Sequence, residues 1–284
     1  MSPPVGAEAP NLIVGCGYLG RRVAARWVEA GRRVAALTRR NADPLRAAGI
    51  EPITGDVLDP RTLQALPSAS TVLYAVGLDR AAGKSMRDVY VTGLSNVLDT
   101  LPPCRQFVYV SSTGIYGQTS GEWVAETDPA EAADESGTVV REAERLLRSR
   151  RPDAIILRFA GIYGPDRLLR KQPLLRGEPL VGDADKWLNL VHVADGAAAV
   201  LWAESHAATG QTYNIADGTP VPRRDFYTYL AELLHAPRAA FDHRPEPGAA
   251  NRRIDAGRVR ALGWAPAYPS YREGLTAAVA ESTM

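Results

Sequence analysis

The sequence predicts an α/β protein built on a doubly wound parallel sheet, with a small C-terminal substrate-capping region. Three observations carry that expectation. Short apolar runs alternate with helical stretches from Asn11 onward, the first run ends in a Gly-x-Gly-x-x-Gly turn, and the alternation fades after Phe159.

Strands are expected at residues 12–14, 33–38, 52–54, 71–76, 107–111 and 154–159, with a later one at 212–215. The helix after the first strand is the clearest, because Leu19, Val23 and Trp27 recur every fourth residue and Gly31 stands where a C-terminal cap belongs. Asp59-Pro60 is an N-cap and first-turn pair for a short helix through Leu66. Longer helices are expected at 86–100, 138–149, 193–204 and from Pro222 to about His235, followed by an irregular cap rich in Pro, Arg and Ala. In domain terms, 1–10 is a loose leader, 11–165 the sheet domain and 166–284 mainly the capping region, with 188–217 returning to the sheet domain.

With 284 residues the chain can bury a full core, and a net charge of +1 supplies no basic field for nucleic acid or an anionic membrane. No apolar run approaches a membrane span, and the leader has neither the basic end nor the apolar stretch of a signal peptide. Cys16 and Cys104 are too few and too far apart for a disulfide framework or a metal site, which fits a reducing, cytoplasmic setting.

Gly15-Cys16-Gly17-Tyr18-Leu19-Gly20 lies between the first strand and the first helix, the placement that a dinucleotide-binding Rossmann turn requires. The first glycine permits the tight turn, the second lets backbone approach a pyrophosphate at the helix N-terminus, and the third lets the helix pack on the strand. Sites for NAD usually end the second strand in Asp or Glu. Here Thr38-Arg39-Arg40 stands in that place, and two guanidinium groups suit the 2′-phosphate of NADP(H) better than the bare ribose of NAD(H). Asp56 and Val57, after the third strand, are expected on the adenine side. A solvated turn is the plain alternative for each.

Together with Phe107 to Gly117, Leu157 to Pro165, Asn189 to Asp195, Tyr213 to Gly218 and Leu262-Gly263-Trp264, this motif resembles the extended short-chain dehydrogenase/reductases, in particular the NAD-dependent epimerase/dehydratase family. The resemblance covers nearly the whole chain. It implies a catalytic hydroxyl at Ser112, with Thr113 beside it, a cleft lining at Tyr163-Gly164-Pro165, and a buttress at Asn189 to Asp195 in which His192 is structural.

One departure matters. Such enzymes carry Tyr-x-x-x-Lys at the start of the helix after the catalytic Ser, and alignment on Ala143-Glu144 puts Ser136 and Val140 at those two positions. A Ser alcohol is a far weaker acid than a phenol, and Val offers no charge. Tyr116 and Tyr163 are then the phenols expected to stand in as proton donors, or else to wall the cleft. Tyr90 stands where the family often has a structural Asn. Two classes of function stay open: an oxidoreductase acting on a small carbonyl or nucleotide-sugar-like substrate, and a non-catalytic NADP(H) sensor. The resemblance also implies a homodimer, because helices 86–100 and 138–149 often pair across a two-fold axis in that family; Val89, Leu94, Val97, Val139, Ala143 and Leu147 exceed what solvated helices need, though some must face the sheet.

Overall fold

The computed structural model describes residues 9–40, 42–244 and 248–282, so the expected leader lies outside it apart from Ala9 and Pro10. Elements follow the alternation in order: β1 (Asn11–Val14), α1 (Tyr18–Glu29), β2 (Val34–Thr38), α2 (Ala42–Ala47), β3 (Glu51–Thr54), β4 (Ala69–Tyr74), α3 (Gly93–Thr100), β5 (Cys104–Ser112) and α4 (Glu135–Arg150). A seven-stranded parallel sheet runs Thr212–Ile215, Ile155–Phe159, β5, β4, β1, β2, β3. Strand order reverses at β1, which pairs with β2 on one side and β4 on the other. That switch opens a crevice beyond the carboxyl ends of the strands.

The chain divides into two compact units. One holds the described residues through Ser111 with Val139–Leu157 and Val200–Thr212, and the other holds Ser112–Thr138, Arg158–Ala199 and the described residues from Tyr213. The division therefore interleaves more than the expected split near residue 165, and the 112–138 loop groups with the later segments.

In the first unit β1 is apolar and buried along its whole length, as a strand covered on both faces must be. Trp27 is fully buried on the inner stripe of α1, and its Nε1 donates to Glu204 at 2.8 Å. Arg32 donates to the same carboxylate at 3.0 Å, so a nearly buried charge is paired and hydrogen-bonded. The six apolar residues that motivated the homodimer are all buried inside this unit, so that surplus belongs to its own core.

The helix expected at 86–100 contains a π-turn over Asp88–Thr92 before α3, and there the Leu78 amide donates to the Tyr90 hydroxyl at 3.2 Å. Asp59 caps as expected, but the turn it opens is a short 3₁₀ helix, Pro60–Leu63.

In the second unit, strands Gly161–Tyr163 and Leu190–His192 pair in parallel. The expected irregular tail is more ordered than its composition suggests, because after α5 (Lys171–Leu175), α6 (Val193–His206), α7 (Arg223–Leu233) and α8 (Gly257–Ala261) comes an eleven-residue helix, α9 (Tyr271–Glu281). Its signal is a capping box: Ser270 accepts from the Arg272 amide and its hydroxyl meets Glu273. Tyr271, Leu275 and Ala278 form its buried stripe, packed with Tyr163, Phe226 and Leu230. Among the described residues no helix is long and apolar enough to cross a membrane.

A Cβ at Gly274 would collide with the Tyr163 hydroxyl. Gly274→Ala is accordingly expected to cost roughly 1–3 kcal/mol in urea unfolding, and pairing it with Tyr163→Phe should recover part of the loss. Equal stability of Gly274→Ala and the parent would contradict this packing.

Candidate active site

A cleft of about 330 Å³ occupies the crevice of the first unit, bounded by the glycine turn after β1, the end of β2 and the loops after β3 and β4. Each glycine has its own steric position. Gly15 has φ +96°, and a Cβ there would lie 2.6 Å from the backbone of Ala75 and Val76. A Cβ at Gly20 would lie 2.7 Å from the Gly15 carbonyl oxygen, so α1 seats directly on the turn. At Gly17, by contrast, nothing stands within 4 Å, and this glycine lines the cleft. No side chain caps α1 and no acidic residue stands in its first turn, so its positive end is not neutralised from within the helix. An open cradle at a helix N-terminus fits a dinucleotide pyrophosphate.

The other cofactor candidates separate. Tyr18 stacks beneath the Arg22 guanidinium, 4.1 Å from ring centre to charge, while the Leu19 side chain is core and leaves only its backbone to serve a ligand. Arg39 lines the cleft; Arg40 is exposed and absent from its walls. The sequence offered no carboxylate beside these arginines, but Asp79, after β4, meets Arg39 at 3.0 Å. Both partners are about half exposed, so the pair holds weakly, worth at most ~1 kcal/mol. Lys84 also lines the cleft and was not foreseen. Asp56 accepts from the Leu58 amide at 2.9 Å, which shapes the loop after β3, and Val57 packs where Gly93 leaves room. Burial pushes the Cys16 thiol up to about 11, against the opposing pull of Arg21, so it is no nucleophile at neutral pH.

In the second unit Ser112 opens a 3₁₀ turn, Thr113–Ile115, and its Oγ accepts from the Gly114 amide at 3.0 Å. That bond uses a lone pair and leaves the hydroxyl proton available to donate. Tyr116 is fully buried, its hydroxyl donating to Asn214 Oδ1 at 2.9 Å and accepting from Arg158 at 2.8 Å. Burial raises its pKa despite the adjacent arginine. Tyr163 is also fully buried, edge-on to His192 and Phe226, and burial lifts it well above the ordinary phenol range. The structure therefore places both phenols in the packed core of the unit. His192 accepts from the Ala194 amide and Asp195 accepts from the amides of Ala267 and Tyr268, a bracing arrangement. Ser136 is exposed on α4, and Val140 is buried.

The model of the NAD dependent epimerase/dehydratase family matches residues 11–216. The chain belongs to that family. It is similar to Protein YeeZ of Escherichia coli K12, 28% identical over 269 residues that cover 90% of this chain and 95% of the relative. It is also similar to a solved structure from Methylobacillus flagellatus assigned as an NAD-dependent epimerase/dehydratase, at 34% identity and TM-score 0.76, covering 96% and 98% of the two chains. A third relative, 2-alkyl-3-oxoalkanoate reductase of Stenotrophomonas maltophilia, is 27% identical over 260 residues, 79% of this chain and 75% of that one.

Gly15 and Gly17 should respond differently to a methyl group. Gly15→Ala is expected to lower stability by more than ~1 kcal/mol through strain and overlap with 75–76, seen in thermal melts. Gly17→Val should leave the fold near parental stability and abolish NADPH binding in a fluorescence titration; retained binding would move the pyrophosphate away from this turn.

Proposed function

We propose that this chain is an oxidoreductase that prefers NADP(H) over NAD(H) and acts on a small carbonyl substrate, with Ser112 holding the substrate oxygen. The observation that carries the cofactor half is that Arg39 and Lys84 both line the cleft, with Asp79 as the only close acidic partner of Arg39 among the described residues. A 2′-phosphate brings about two negative charges and can draw Arg39 from an exposed, weak pair, whereas a ribose hydroxyl cannot. When bound, the nicotinamide supplies or accepts a hydride.

Ser112 supplies the substrate half. Its hydroxyl is fixed by the Gly114 amide, so it can donate to an oxygen on which negative charge develops without being reoriented at that moment. Tyr116 and Tyr163 act in this proposal as supports: the first ties 112–117 to Asn214 and Arg158, and the second fills the space left by Gly274. Proton delivery then falls to Ser112 and solvent. Support for a carbonyl substrate comes from the similarity to a 3-oxoalkanoate reductase.

A second reading has its own observation. With both candidate phenols buried in the core and neither Tyr nor Lys at positions 136 and 140, a chain that binds NADP(H) and passes the signal to a partner is also consistent.

Titration calorimetry should give at least tenfold tighter binding of NADPH than NADH, with Arg39→Ala erasing most of the difference. Equal affinities in the parent would show that the rim does not read the phosphate. With a carbonyl panel followed by NADPH absorbance, Ser112→Ala is expected to lower the rate about 10²–10³-fold at unchanged NADPH affinity. Tight NADPH binding without turnover across the panel would favour the sensor.

A further inference from the structure

A second cleft, of about 490 Å³, lies wholly within the second unit, between the turn after Ser112, the residues before α4, and segments 186–189 and 248–252. Among the described residues three charged side chains line it: Arg252, Lys186 and Asp134. The Arg252 guanidinium donates to the Thr113 carbonyl at 2.6 Å, and among the described residues that is the sole acceptor for its five N–H groups. Its Nε is buried with no partner, and burial lowers its pKa against the opposing charge of Asp134. Asp134 makes no hydrogen bond to Arg252 among those seen, and its Oδ1 caps the Gly137 amide at 2.7 Å.

The arginine is held in place by its backbone. Asn189 donates to the Arg252 carbonyl at 2.8 Å and accepts from the Ile254 amide at 2.6 Å, while Asn251 and Arg253 amides donate to the carbonyls of Gln118 and Glu122 at 2.8 Å. Next to it the Arg253 guanidinium sits 5.2 Å from the Trp123 ring and 5.1 Å from the ring of Trp187, which lines the cleft. A charged fork, under-used by the protein and preorganised on braced backbone, is a receptor for a planar anion. Among the described lining residues two cations stand against one carboxylate, and that single net positive charge suits a monoanion better than a diphosphate.

We propose that this cleft seats a carboxylate of the substrate, Arg252 receiving it and Lys186 reinforcing it, so that the carbonyl compounds this chain converts are carboxylic acids. The substrate class rests on the oxidoreductase reading; the carboxylate site itself is testable without turnover. Ser112 lies one residue before the carbonyl that Arg252 holds, so the anion site and the candidate catalytic hydroxyl belong to one turn.

The test is calorimetric titration of the full chain with 2-oxo-4-phenylbutanoate and with its neutral ethyl ester. The acid is expected to bind at least tenfold more tightly than the ester, and raising the salt should weaken the acid alone. Arg252→Gln should bring the acid to within threefold of the ester, with Arg252→Lys intermediate. Should Arg252→Gln fail to fold by circular dichroism, Lys186→Gln decides, because its ammonium has no hydrogen-bond partner among the described residues; at least threefold weaker binding of the acid alone is expected. Acid and ester bound within threefold by the parent, or a preference untouched by these substitutions, overturns the proposal. So does displacement of the acid by inorganic phosphate or UDP-glucose at lower concentration than by the acid itself. NADPH titration of the same samples separates the two readings: acid preference without NADPH binding sinks the redox reading and leaves the carboxylate site standing.

Discussion

The first unit depends on a single backbone-to-backbone approach. The turn after β1 passes so near Ala75 and Val76 that position 15 has no room for a Cβ, and α1 then starts so near that turn that position 20 has none either. Strand, turn and helix are thereby locked to the next strand by the absence of side chains. Because β1 is the strand at which the order reverses, the locked turn lies at the mouth of the crevice. Gly15 and Gly17 both line that crevice, and of the three glycines Gly17 is the one with free space around it. Steric exclusion at two positions and openness at the third are one design, and the walls contributed by Arg39, Asp79 and Lys84 follow from where the loops after β2 and β4 must emerge.

The second unit solves a different problem, that of burying polar groups. Tyr116, Arg158 and Asn214 form a chain in which each hydroxyl, guanidinium or amide meets a partner, and Glu126 accepts from the Asn214 amide nitrogen at 2.6 Å. Removing any member would strand the others away from water, at about 1–3 kcal/mol per unsatisfied group. Such a network specifies one conformation of the 112–126 loop. It also holds the Tyr116 hydroxyl between an acceptor, Asn214 Oδ1, and a donor, Arg158. Asp217 shows the same pressure: burial pushes its carboxyl up to about 7 despite the Thr219 amide and Arg260 nearby.

Periodicity made the sheet unit legible. All seven strands of the main sheet were expected within a few residues, because most of them are buried apolar runs and α1 repeats its stripe every fourth residue. What stayed hidden depends on pairings remote in sequence. Two-residue strands such as Trp123–Val124 with Arg253–Ile254 have no period to detect. Nor could spacing show that Tyr163 and Tyr116 point into the core, because the same Tyr-Gly dipeptides serve a cleft wall or a packed interior equally well. The capping box before α9 was visible, and a Pro-rich flank obscured it. Asp79 and Arg252 were opaque for a related reason: a charge acquires its meaning from the partner it meets, and those partners lie 40 and 139 residues away.

The two clefts differ in how charge is managed, and that difference bears on what each can hold. At the first, Arg39 is exposed and already paired, so an incoming phosphate competes with Asp79 and with water. Discrimination there comes from the number of charges the ligand brings, and it weakens as salt rises. At the second, Arg252 is half-buried, Asp134 acts on it while capping the Gly137 amide, and its Nε is buried with no acceptor among the described residues. A buried N–H left without an acceptor costs the fold about 1–3 kcal/mol. The cost is offset when an anion completes the arginine's bonding, and the resulting charge-assisted contact, screened far less than the rim pair, selects by geometry as well as by sign.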